Sequence, residues 1–132
     1  VGNRRMAALH VQFMGIAGPT DVLTFELDHD ERGRVVAGEG VVCVPHAVAE
    51  AKRRGVEARK EVLLYALHGM LHLCGMDDRT RAGFERMHRM EDEILTRIGV
   101  GPVFHASTEK NRRAGFSLHG PSKGTKSRDK RR

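Results

Sequence analysis

Tryptophan is absent from the 132 residues, tyrosine occurs once and phenylalanine five times, so aliphatic side chains must supply most of any core. Cysteine is scarce too. Cys43 and Cys74 lie far apart and form no CxxC pair, which argues against a disulfide framework and predicts two buried, reduced thiols of a cytosolic protein. No apolar run reaches the roughly 18 residues that would span a bilayer. The opening Val1-Gly2-Asn3-Arg4-Arg5 leads into an amphipathic stretch and not into the apolar heart of a signal peptide. A chain of this length allows one small domain with an adequate core.

Charge is present in quantity but unevenly placed. The formal net charge is +6, yet residues 109–132 hold nine Lys and Arg against Glu109 and Asp129, so the remaining chain is close to neutral at −1. The chain therefore divides into a body, residues 1–106, and a basic tail, residues 107–132. The tail is poor in apolar residues and rich in Gly, Ser and charge. It cannot bury enough surface to offset chain entropy and is expected to be disordered. Such tails contact nucleic acid by neutralising phosphates, or serve as solubilising extensions.

Within the body, apolar residues at helical spacing predict a helix from Arg4 to about Phe13, ended by Gly15–Pro19. Val22–Leu27 is rich in β-branched and aromatic residues and reads as a strand. Val41–Val44 reads as a second strand, an antiparallel partner across the polar turn Asp28–Gly33. Pro45 suits the start of a helix to about Arg54, stopped by Gly55. Further helices are expected from Ala58 to Cys74, stopped by Gly75, and from Thr80 to Ile98. The class is α+β, a small sheet packed against helices.

The helix from Ala58 carries the chemistry. At about 100° per residue, His68 and His72 share one stripe with Glu61 and Tyr65. Two imidazoles one turn apart can converge on a zinc ion. Gly75 lets the chain reverse, and Asp78, six residues past His72, can supply a third ligand. Three protein ligands leave a position for water, the arrangement of a catalytic zinc site. The bland alternative is that His pairs at i, i+4 arise by chance. An apolar helix followed by Gly and a carboxylate makes the metal reading the stronger one. Glu61 either orients a ligand or water, or is simply a charge near the helix N-terminus.

The run His68-Gly69-Met70-Leu71-His72-Leu73-Cys74-Gly75-Met76-Asp77-Asp78 resembles the HGxLHLxGxDH signature of the YbeY family of rRNA-maturation endoribonucleases. Pro19-Thr20-Asp21-Val22-Leu23-Thr24-Phe25 is similar to that family's PTDVLSF block, and Gly38–Val44 to the strand after it. The resemblance runs from about Leu9 to Ile98. It implies an α+β fold and one zinc ion per chain held by His68, His72 and Asp78. It also implies cleavage of single-stranded RNA in ribosomal RNA maturation and ribosome quality control, with ribosomal subunits as partners. The expected location is the cytoplasm, with no membrane partner and no small-molecule cofactor.

Three departures qualify the resemblance. Asp78 stands where the family has a third His, which predicts a retained but less acidifying metal site; Asp77 matches the family's own Asp and is assigned to the turn. His88 is a remote substitute ligand, read as a surface residue. Met14 and Ala17 replace the Arg and Asp of the family's YRxKDxPT stretch, removing a cation expected to face phosphate; Arg4 and Arg5 are distant substitutes. The family's two further strands and helix before PTDVL are missing, so a two-stranded sheet of low stability is expected. The alternative to an active nuclease is a ribosome-associated assembly factor whose metal site is structural or degenerate. The general base and the substrate-binding residues are unknown from sequence.

Overall fold

A computed structural model describes residues 1–105. The basic tail expected at 107–132 lies outside the described residues. The order is α1 (Asn3–Met14), β1 (Val22–His29), β2 (Val35–Val42), α2 (Val44–Arg54), α3 (Ala58–Leu73) and α4 (Arg81–Arg97). This is the α+β class expected from the sequence.

β1 and β2 form a two-stranded antiparallel sheet, with Val22 opposite Val42 and His29 opposite Val35, and an irregularity around Leu27. Asp30 builds the connection: its Oδ1 accepts the backbone N–H of Arg32 and of Arg34, both at 2.9 Å. The second strand begins well before the expected Val41 and ends at Val42, while Val44 opens α2. The apolar pattern misplaces it because Gly38, Glu39 and Gly40 carry strand backbone without strand-forming side chains. Gly38 is there for space: a Cβ at this position would lie 2.8 Å from Leu73 Cδ1.

α3 lies between the sheet and α4. Its leucines Leu64, Leu67 and Leu71, spaced i, i+3, i+7, meet Met87 and Leu95 of α4 and Val103 in the main core cluster. Its other face carries Gly69, whose missing Cβ would lie 2.9 Å from Thr24 Cγ2 and 3.1 Å from Val22 Cγ2. The helix can sit this close to β1 only without a side chain there. A smaller cluster of Met6, Leu23 and Cys43 joins α1 to the sheet. Cys43 is buried as expected, but Cys74 is exposed, because it caps α3 where the helix leaves the core.

Charged side chains also hold the fold. Arg54 Nη1 binds both oxygens of Glu61, at 2.7 and 3.0 Å, and Arg54 Nη2 donates to the carbonyls of Val103 and Phe104. Glu61 is fully buried in this pair, so it neither orients a ligand nor sits as an exposed helix-end charge. Asp92 accepts the backbone N–H groups of Val103, Phe104 and His105 at 2.9–3.0 Å. Burial opposes ionisation of Asp92, but the bonds from His105, Val103 and Phe104 outweigh it and hold its pKa below the usual aspartate value.

A group held ionised in the fold contributes stability that is present above its unfolded pKa and fades as pH falls through its folded one. Asp92→Ala, which strands three N–H donors, is expected to cost roughly 2–4 kcal/mol at neutral pH. The gap to the unaltered chain should narrow below about pH 4. Urea unfolding at pH 7 and pH 3 checks this; an equal gap at both would refute the ionised-acceptor role.

Candidate metal centre

The end of α3 aims the site. Gly75, at φ 90°, lets the Met76 N–H bond back to Leu71 O at 3.0 Å and the Gly75 N–H to His72 O at 2.9 Å, a Schellman turn. The same turn brings the Met76 carbonyl within 3.0 Å of His72 Nδ1. The next segment is pinned at α4, where Thr80 caps the helix by accepting the Gly83 N–H at 3.0 Å. Gly83 is obligatory here because a Cβ on it would run into the Asp77 carbonyl oxygen. Asp77 is occupied within the turn, accepting the Arg79 N–H at 2.8 Å and Arg79 Nε at 2.7 Å. Those bonds lower its pKa to about 2, so it does turn duty as expected.

Between these anchors three donors meet. His72 Nε2 lies 3.0 Å from His68 Nε2, and Asp78 lies 3.2 Å from His68 Nε2 and 3.7 Å from His72 Nε2. The two rings are nearly perpendicular, at 87°. The three residues named from the sequence are thus brought together. Side-chain exposures of 17% for His68, 31% for His72 and 32% for Asp78 leave the group reachable from solvent. It borders an open cavity of ≈ 440 Å³, lined by His72, Gly75, Met76, Asp77, Asp78 and Arg79.

Proton bookkeeping fits a cation at this point. His72 Nδ1 faces a carbonyl, and His68 Nδ1 lies 2.6 Å from Glu91 Oε1. A carbonyl and a carboxylate only accept, so both Nδ1 atoms carry the hydrogen, and each ring in its neutral form presents an Nε2 lone pair. Two such lone pairs and a carboxylate can share a cation, and without one a proton on His68 Nε2 serves the same contacts. Donors about 2.0–2.1 Å from one tetrahedral zinc stand roughly 3.3–3.4 Å apart; His68 Nε2 stands 3.0 Å from His72 Nε2 and 3.2 Å from Asp78 Oδ2, while the 3.7 Å contact with His72 is made by the other oxygen, Oδ1. Burial disfavours the His68 cation, but Glu91 and then Asp78 outweigh it and raise the pKa of the imidazole.

A second group, His68, His88 and Glu91, also clusters closely enough to be a metal candidate. Its spacing says otherwise. Glu91 lies 2.6 Å from His68 Nδ1 and 2.5 Å from His88 Nδ1, contacts filled by a shared hydrogen and too short for two ligands of one ion. His88 is therefore not a substitute ligand. It is not a surface residue either: it is 7% exposed, stacked on Phe104 and inside the α3–α4 interface. Sequence reading missed Glu91 as well. The available signal was its place on the stripe Met87, Glu91, Leu95, a carboxylate in the middle of an apolar face.

An α+β domain with two histidines and an aspartate gathered on a helix and its following turn is the class this geometry defines. The chain belongs to the YbeY endoribonuclease family: the profile described as Endoribonuclease YbeY matches residues 1–99. A protein named Endoribonuclease YbeY from Kineococcus radiotolerans is 41% identical over 105 residues, covering 71% of this chain and 61% of the relative. One of the same name from Geobacillus thermodenitrificans is 32% identical over 109 residues, covering 76% and 70%. The solution structure of TM1509 from Thermotoga maritima superimposes with a TM-score of 0.51 at 31% identity, covering 74% of this chain and 65% of that one. The chain thus spans between about three fifths and seven tenths of the length of these proteins.

If Gly83 sets the turn that carries Asp78, Gly83→Ala should cost about 1–3 kcal/mol in chemical unfolding. Its amide NMR shifts should change mainly over residues 77–83. Unaltered stability with shifts scattered elsewhere would show that the turn does not depend on this contact.

Proposed function

We propose that this protein is a zinc-dependent endoribonuclease acting on single-stranded RNA in ribosomal RNA maturation and ribosome quality control. In this reading His68, His72 and Asp78 hold one ion per chain, and ribosomal RNA and ribosomal subunits in the cytoplasm are its partners. Family membership supports the nuclease activity. The single observation that carries the metal is the grouping of His68 Nε2, His72 Nε2 and the Asp78 carboxylate at 3.0–3.7 Å, with the Nδ1 of each imidazole facing an acceptor elsewhere.

Bound there, zinc would lower the pKa of a coordinated water and offset charge on a phosphoryl oxygen. The remaining work falls to the chain. His72 and Asp78, about one third exposed, front the open cavity, so a ligand at the site is reached from solvent. Gly69 occupies the position where HExxH proteases keep a glutamate base, and it is turned onto Val22 and Thr24. The general base of peptide hydrolysis is missing from that position, which favours a phosphodiester over a peptide substrate. Among the described residues no helix is long and apolar enough to cross a membrane.

A second reading, a ribosome-associated assembly factor that binds without cutting, draws on Met14. The residue where the family places an arginine is here apolar and 58% exposed, so it supplies no charge to a phosphate. Zinc content of protein purified without chelator, and cleavage of a single-stranded ribosomal RNA fragment, decide between the two. Near one zinc per chain is expected, with cleavage lost on chelation and in His72→Ala. Equal cutting by all samples would trace the activity to a contaminant. Full zinc with no cutting would select the assembly factor.

A further inference from the structure

Glu91 is 0% exposed, and both its carboxylate oxygens are engaged by imidazoles. Oε1 accepts from His68 Nδ1 at 2.6 Å, and Oε2 accepts from His88 Nδ1 at 2.5 Å. His88 is itself immobilised. Its ring lies parallel to Phe104, 1° between planes and 3.5 Å between centroids, and meets the edge of Phe84 at 4.2 Å. Phe104 is held in turn by Asp92, which accepts its N–H, and by Arg54, which binds its carbonyl. A chain of fixed contacts thus runs from residues 103–105 through His88 and Glu91 to His68.

An isolated neutral imidazole can carry its hydrogen on either nitrogen and can turn over about its bond to Cβ. Only one of the resulting arrangements leaves the His68 Nε2 lone pair facing His72 and Asp78. A buried carboxylate on Nδ1 selects that arrangement, and a second donor on the carboxylate's other oxygen keeps the carboxylate from turning. His72 is fixed differently, by the backbone carbonyl of Met76. The two ligands on α3 are therefore oriented by unlike devices, one by the turn and one by α4.

We propose that Glu91, braced by His88, is a positioning residue that presets His68 as a metal ligand. This rests on the metal reading above, and nothing in it requires Glu91 to touch the ion or the RNA. Glutamine at this position would offer one accepting oxygen for two N–H donors and would turn its NH2 toward one ring. That forces a change of tautomer at His68 or His88 and removes the charge that strengthens the bond.

The test uses the full chain with zinc as the probe, competed against a chromogenic chelator. Imidazole 15N shifts of the metal-free protein report the His68 tautomer. The unaltered chain should show His68 with its hydrogen on Nδ1. Glu91→Gln should weaken zinc binding about 10- to 100-fold and increase the opposite tautomer at His68 or His88. His88→Phe, which preserves stacking on Phe104 but removes the brace, should weaken it by a smaller factor, about tenfold or less. Unfolding curves of each variant establish that it is folded, and His88→Phe carries the test if Glu91→Gln does not fold. Zinc binding within about twofold of the unaltered chain in a folded variant, with the His68 tautomer unmoved, overturns the positioning role alone. Failure of the unaltered chain to take up zinc, with no difference from His72→Ala, overturns the metal reading and this role with it.

Discussion

The approach of α3 to β1 at Gly69 governs the rest of the structure. With no side chain between the helix and Val22 and Thr24, α3 seats directly on the sheet, and its leucine stripe is presented to α4 on the far side. His68 and His72 then fall at the edge between those faces, neither in hydrocarbon nor fully in water. A helix displaced by one methyl would carry both rings together away from Asp78 and Glu91, which lie on other segments. Gly38 serves the same packing from the second strand by leaving room for Leu73. Small residues in this protein thus mark close approach of elements, and that approach is what the site is built upon.

Burial of charge is the second theme. Arg54 of α2 with Glu61 of α3, Asp92 with three backbone N–H groups, and Glu91 with two imidazoles are all buried around α3 and α4. Among the described residues no buried side-chain nitrogen or oxygen lacks a partner. Replacing such groups with hydrocarbon can be neutral or even stabilising, whereas removing one partner leaves an uncompensated charge and costs several kcal/mol. The networks are therefore better understood as fixing geometry than as adding stability. Two of them converge on residues 103–105, which shut the outer side of His88, and the third ends on a proposed ligand.

Sequence and structure agree where the physics is local. Helix starts and stops followed from Pro45, Gly55, Gly75 and Thr80, because caps and left-handed turns are short-range events. The histidine spacing placed His68 and His72 on one stripe for the same reason, and Gly75 announced the reversal that brings Asp78 back. Reading failed where tertiary contact decides. Gly38 and Gly40 hid half of β2, since a glycine chosen for room under Leu73 looks like a strand breaker. His88 was read as a surface residue, and Glu61 as a free carboxylate or a helix-end charge, because a polar residue on an apolar stripe gives no sign of its partner. Arg54, the partner of Glu61, comes from another helix, and the Glu91 that holds His88 from the same helix is itself bound to His68 of α3.

Distances separate the two titratable clusters that share His68. Around Nε2 the neighbours stand at 3.0–3.2 Å, with His72 and Asp78 3.7 Å apart; around Nδ1 the neighbour stands at 2.6 Å. The wider set leaves room for the proposed ion, whereas the narrower contact has the length of atoms sharing a hydrogen. One imidazole therefore faces two kinds of partner, and its two nitrogens cannot exchange roles without breaking both. Asp78 in place of a third histidine adds a negative charge on the metal side, and Glu91 adds another behind the ring. Both raise the attraction of the site for a cation while reducing the net positive charge that a bound ion would present to a phosphate. In electrostatic terms, were the proposed ion bound, the site would favour holding it over polarising what it touches, and this balance bears on the choice between the two proposed functions.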